Sequence, residues 1–249
     1  MDNYDTFNRE ERNICAHFFR LLHETKPNKG DLPIQQLINL IDKNKENYNF
    51  NNKETKIFCE VAIIRDFYCK LKPNVSDFMD KLTQIIMQQE NIHSDCRVFS
   101  ELPDELKNTS QTHPKQIKQK AIKDGIQLSK NELSVYGAIQ GMFNAKPDMA
   151  ITYGDTLYSI EAKFTESFDI EQLSRTKNIA DVWVSLLFNQ FGFQTKPHYK
   201  IIKLGAKKFN PDINWSQILE IAKNTYDEND RTYKAINEGV KLLKDKGME

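Results

Sequence analysis

The chain has 249 residues, with 35 basic and 35 acidic side chains, and 39% of it is apolar. That is too apolar and too neutral for a wholly disordered chain, and zero net charge excludes a histone-like protein that coats DNA indiscriminately. No apolar run approaches the roughly 20 residues that cross a bilayer, so a membrane protein is excluded.

Met1 to Glu11 is polar and acidic, without the basic-then-apolar pattern of a secretory signal. Cys15, Cys59, Cys69 and Cys96 are scattered, with no CxxC pair, so reduced thiols and a cytoplasmic location are expected. Phe7 to His23 carries Ile14, Phe18, Leu21 and Leu22 at helical spacing. Pro27 to Gly30 breaks it, and Leu32 to Ile41 continues as a second helix with Leu37, Ile38 and Ile41 on one stripe. The polar run Asp42 to Lys53 reads as a loop. Glu54 to Leu71 places Ile57, Phe58, Val61, Ile64 and Tyr68 on one side of a third helix. Val75 to Gln89 is a fourth. Pro103 to Pro114, polar and bounded by prolines, reads as a linker. The expectation is an all-helical N-terminal domain over 1–112 for recognition, partner binding or dimerisation, and a second domain over 113–249.

Charge by segment is more informative than the total. Residues 1–112 carry a net −3, residues 113–208 a net +5 and residues 209–249 a net −2. Lys115, Lys118, Lys120 and Lys123 recur at short helical spacing, opposed only by Asp124. Such a cluster is either a phosphate-binding face or a solvated helix face.

The pattern changes after residue 125. Ser129 followed by Glu132 has the spacing of a capping box at a helix start. Asp148 to Tyr153 alternates, Gly154-Asp155 is a two-residue hairpin signal, and Thr156 to Phe164 alternates again. Ile170 to Phe191 is a long helix with Ile179, Trp183, Leu186 and Leu187 inward, and Phe188 also in the core. Tyr199 to Leu204 is a strand and Trp215 to Ala222 a helix. This order gives an α/β fold built on a mixed sheet flanked by helices, with every strand after residue 125.

A two-residue turn at Gly154-Asp155 pairs Tyr153 with Thr156 and sets Asp148 opposite Glu161. Glu161 and Lys163 then share one face, while Met149, Ile151, Tyr158, Ile160 and Ala162 form the apolar face. Facing carboxylates repel. A divalent cation compensates, since Mg²⁺ is held by one or two carboxylates plus water and phosphate oxygens. A lysine beside such a site suits phosphodiester hydrolysis. No GxxxxGK[ST], GxSxG or HExxH is present.

Pro147-Asp148, twelve residues, then Glu161-Ala162-Lys163 resembles the signature of the PD-(D/E)xK nuclease superfamily. The resemblance covers about residues 125–205 and implies a restriction-endonuclease-like fold. It implies Asp148 and Glu161 as metal ligands, the Ala162 carbonyl as a further one, and Lys163 as the catalytic lysine. Glu132 matches the glutamate that many members place on the preceding helix, and serves equally as a capping-box residue. Gln172 matches the accessory glutamine of the following helix, or is a plain solvated residue. The implied activity is a Mg²⁺-dependent DNA endonuclease, with Mn²⁺ as substitute, of a restriction or phage-defence kind. An RNA substrate, an exonuclease and a junction resolvase share the same chemistry. A homodimer or higher homo-oligomer is expected. The other class is a non-catalytic nucleic-acid-binding or scaffold protein on the same fold.

Overall fold

The computed structural model of the protein describes residues 11–42, 55–92, 94–108, 112–191 and 196–249, with the backbone alone over 187–191. The first helix, α1 (Glu11–Leu22), buries Ile14, Cys15, Phe18, Leu21 and Leu22, the stripe its spacing predicts. α2 (Pro33–Ile41) starts on a proline, whose missing N–H costs nothing in the first turn. β1 (Lys56–Cys59), α3 (Ile63–Leu71), α4 (Ser76–Gln89), α5 (Asp104–Lys107) and α6 (Ile117–Lys123) follow. Then come α7 (Lys130–Asn144), β2 (Met149–Tyr153), β3 (Thr156–Ala162) and α8 (Ile170–Phe191). β4 (His198–Gly205), β5 (Ile213–Asn214), α9 (Trp215–Thr225) and α10 (Arg231–Asp245) complete the order. Among the described residues no helix is long and apolar enough to cross a membrane.

The fold is α/β, with five strands in one mixed sheet in the order β1-β2-β3-β4-β5. β1 pairs antiparallel with β2, β2 antiparallel with β3, and β4 parallel with β5. The hairpin has the register its turn dictates. Tyr153 faces Thr156, Met149 faces Ile160, and Gly154 takes the left-handed conformation (φ 58°) that a two-residue turn needs.

The chain forms two compact units. The first comprises Met1–Glu60, Pro147–Arg175 and Lys200–Glu249, and the second Val61–Lys146 and Thr176–Tyr199. Each has its own core. The first joins Phe18, Leu37, Ile151, Tyr158, Leu204, Trp215 and Ile236 around the sheet. The second joins Tyr68, Leu82, Tyr136, Phe143 and Val182 between helices.

Two expectations need correction. The N-terminal segment is not all helical, because β1 joins the sheet, and the stretch from Glu54 to Leu71 is not one helix. Ile57 packs on the first core, whereas Ile64 and Tyr68 lie in the second. Glu60, at φ 47°, turns the chain between them, and residues 1–112 contribute to both units rather than forming one. The expected linker is also structured in part, since it contains α5 and Leu106 is buried in the second core. Residues 43–53 of the expected loop Asp42 to Lys53, together with the side chains of Leu187 and Phe188, lie outside the described residues.

Candidate active site

Asp148 stands immediately before β2, and continuing the hairpin register by one position sets it across from Glu161. Two backbone N–H groups hold Asp148 here, one through its side chain and one through its carbonyl. The Ala162 N–H donates to Asp148 Oδ2 at 2.8 Å, and the Glu60 N–H to the Asp148 carbonyl at 3.0 Å. Ala162 ends β3 and buries its methyl in the first core. Lys163 has left the strand, but its N–H still donates to the Leu204 carbonyl of β4 at 2.8 Å.

Glu161 is only 2% exposed. Its Oε2 accepts a hydrogen bond from Gln172 Nε2 of α8 at 2.8 Å. A buried carboxylate needs such a donor, so Gln172 is not a plain solvated residue. Lys163 Nζ donates to Glu11 Oε1 of α1 at 3.1 Å. Burial by itself depresses the Lys163 ammonium, but the hydrogen bond and charge of Glu11, then Asp148 and Glu161, outweigh it. The ammonium therefore holds its proton above its ordinary pKa. Burial pushes the Asp148 carboxyl up, and Glu60 adds to this, while the Ala162 N–H and the charges of Lys163 and Arg12 offset it only in part. Burial raises Glu11 as well, against the pull of Lys163 and with Asp148 adding.

The structure thus brings Asp148, Glu161, Lys163, Ala162 and Gln172 into one neighbourhood and adds Glu11. Spacing offered one signal for Glu11. It lies seven residues before Phe18 and three before Ile14, so an acid sits on the buried stripe of α1. Its partner lies 152 positions away, beyond any local pattern.

For Glu132 the capping-box reading is the one the structure displays. It belongs to the second unit, where its Oε1 accepts from Arg97 N–H at 3.1 Å and Arg97 Nε at 2.6 Å. Its Oε2 accepts from Arg97 Nη2 at 3.0 Å and from the Ser129 N–H at 2.8 Å. Both oxygens are occupied, by the capping box and by a bidentate arginine. The four lysines also lie in the second unit. Lys115 sits in the turn Pro114–Gln116, and Lys118, Lys120 and Lys123 on α6, which buries Ile117 and Ala121. Among the described residues only Lys120 of the four is ion-paired, with Asp124.

Among the described residues no group of three or more His, Cys, Asp or Glu side chains is placed to cage a metal. Mg²⁺ needs no such cage, since one or two carboxylates with water and phosphate oxygens hold it. Carboxylate oxygens are the hard donors it prefers. Burial is the main cause of the raised Asp148 and Glu11 carboxyls, and a neighbouring carboxylate adds to each. No protein-family model, no curated protein and no solved structure matches the chain.

Proposed function

We propose that the first unit is a Mg²⁺-dependent DNA endonuclease of the PD-(D/E)xK superfamily, with a restriction-endonuclease-like fold. The observation that supports this reading is the hairpin register, which sets Asp148 across from Glu161 with Lys163 two residues on, and the Ala162 N–H that ties Asp148 to the same strand end at 2.8 Å. Asp148 and Glu161 would hold the cation, with the Ala162 carbonyl as a third oxygen. Mg²⁺ supplies Lewis-acid stabilisation of phosphate charge and lowers the pKa of water. The chain's own residues do the rest. Lys163 keeps a permanent positive charge where charge develops on the phosphate. Gln172 fixes the Glu161 carboxylate in one orientation, and Glu11 holds the ammonium of Lys163 at 3.1 Å.

A second reading, non-catalytic nucleic-acid binding on the same fold, is favoured by the burial of Glu161, which leaves that carboxylate little open surface. One experiment separates the two. Purified protein is incubated with closed circular and linear DNA, and with RNA, in Mg²⁺ or in EDTA, beside Asp148→Ala. The nuclease reading expects nicked circles in Mg²⁺ alone and none from Asp148→Ala. Cutting that persists in EDTA or in Asp148→Ala defeats the assigned site. Retention of nucleic acid without cutting establishes the second reading.

A further inference from the structure

Lys163 is held by its backbone as well as by its side chain. It lies one residue beyond the end of β3. Its N–H is satisfied by Leu204 of β4 at 2.8 Å. Its carbonyl accepts from Trp215 Nε1, the first residue of α9, at 2.9 Å. Trp215 is fully buried, and the indole N–H is a donor only, with one direction in which to donate.

The same ring touches both elements that aim the lysine. Phe164, next to Lys163, meets it edge-on with centroids 6.1 Å apart, and Phe18 of α1 does so at 6.3 Å. Phe18 lies seven residues after Glu11, on the same face of α1. One rigid side chain therefore spans the segment carrying Lys163 and the helix carrying its carboxylate partner.

We propose that Trp215 is a positioning residue that sets the aim of the Lys163 ammonium through the Lys163 carbonyl. The inference rests on the role proposed for Lys163 in cleavage, but its structural half is testable without activity. Loss of the indole N–H leaves a carbonyl unpaired beside the core, and the peptide at Lys163 rotates to find another donor. The ammonium then leaves Glu11, and the reacting geometry loosens, where small misplacements cost large factors in rate.

The test uses the full-length chain with Trp215→Phe, and with β-(3-benzothienyl)alanine placed at position 215, which keeps the bicyclic shape and replaces the N–H by sulfur. Two readouts are taken. The first is the rate at which an amine-acylating reagent modifies Lys163, measured by peptide mass spectrometry relative to Lys234 of α10. The side chain of Lys163 is 15% exposed and ion-paired, so wild type should react slowly. Both variants should react at least threefold faster, as should Glu11→Gln. The second is DNA cleavage in Mg²⁺, where kcat should fall about tenfold or more with KM within twofold. A merely structural tryptophan would lower the melting temperature and leave both readouts of the folded fraction unchanged. If Trp215→Phe does not fold, the isosteric analogue decides. Unchanged Lys163 labelling in a folded variant overturns the proposal. Absence of cleavage by wild type overturns the nuclease reading instead, and the labelling arm still judges Trp215.

Discussion

Replacement of Asp148 by asparagine and by alanine separates the cost of its charge from the value of its hydrogen bond. Burial pushes its carboxyl up, so the folded chain binds this proton more tightly than the unfolded chain does. The stability linked to Asp148 is therefore fully present below the ordinary carboxylate range and is lost as pH rises through the raised folded value. At pH 8 in EDTA the ionised group costs stability. Asparagine carries no charge and keeps an oxygen for the Ala162 N–H, which Asp148 accepts at 2.8 Å. Asp148→Asn should thus melt at or above wild type, and the gap should shrink as pH falls to about 5, within reach of the carboxylate range. Alanine leaves the Ala162 N–H without its acceptor, a cost of about 1–3 kcal/mol. For a chain of this size each kcal/mol moves Tm by roughly 2–4 °C, so Asp148→Ala should melt ~2–12 °C below Asp148→Asn. Mg²⁺ at about ten times its Kd should add about 1.4 kcal/mol to wild type and less to either variant. Thermal melts at the two pH values, with EDTA or Mg²⁺, measure all of this. An Asp148→Asn protein melting several degrees below wild type in EDTA at pH 8 would refute the reasoning, because the carboxylate would then be a stabilising ion-pair partner.

Three further outcomes follow from the same structure. Gln172→Ala should lower cleavage about tenfold, with Gln172→Glu worse, because a second carboxylate would then face buried Glu161; single-turnover rates in Mg²⁺ check this. Glu132→Ala should cost about 2–4 kcal/mol of stability, since it removes a capping box and the partner of Arg97, yet leave cleavage by the folded fraction intact. Burial alone would raise the Glu132 pKa, but Arg97 and the Ser129 N–H hold it below the ordinary value, so this stability is present above the carboxylate range and lost as pH falls through the depressed one; acid titrations of wild type and variant measure it. Reversing the charge of Lys118 and Lys123 should weaken DNA binding uniformly across sequences and flatten the log–log salt slope by about 0.9 for each phosphate no longer neutralised, and an unchanged slope in fluorescence anisotropy marks a solvated face.

What could be read in the sequence was what is decided within a few residues of chain. Alternation interrupted by Gly154-Asp155 specifies a hairpin whatever surrounds it, and the observed register is the one that turn imposes. The capping box at Ser129 and Glu132 was equally legible, for the same reason. The local reading of Glu132 was legible because a cap needs only a neighbouring N–H, whereas a ligand role depends on the whole fold. β1 was illegible. Its partner in the sheet is about 90 residues away, and Ile57 and Phe58 happen to continue the helical spacing of Ile64 and Tyr68. Four residues cannot distinguish a period of 2 from one of 3.6, so pairing with the edge of β2 decided the matter. The pairs Glu11–Lys163 and Trp215–Lys163 were hidden for the same reason.

The dependence of the site on the hairpin turn is correspondingly severe. Side chains alternate along β3, so a slip of one residue would carry Glu161 and Lys163 to the side now filled by Ile160 and Ala162. Glu161, already buried, would lose its Gln172 donor and the Lys163 ammonium its Glu11 partner, while two apolar residues would face Gln172 and Glu11. Each misplaced charge would cost several kcal/mol, more than any single contact at the site returns. The burial pattern that stabilises the sheet therefore also selects the register that brings Asp148, Glu161 and Lys163 into one neighbourhood. The left-handed Gly154 that closes the turn is for this reason as much a determinant of the site as of the strand pair.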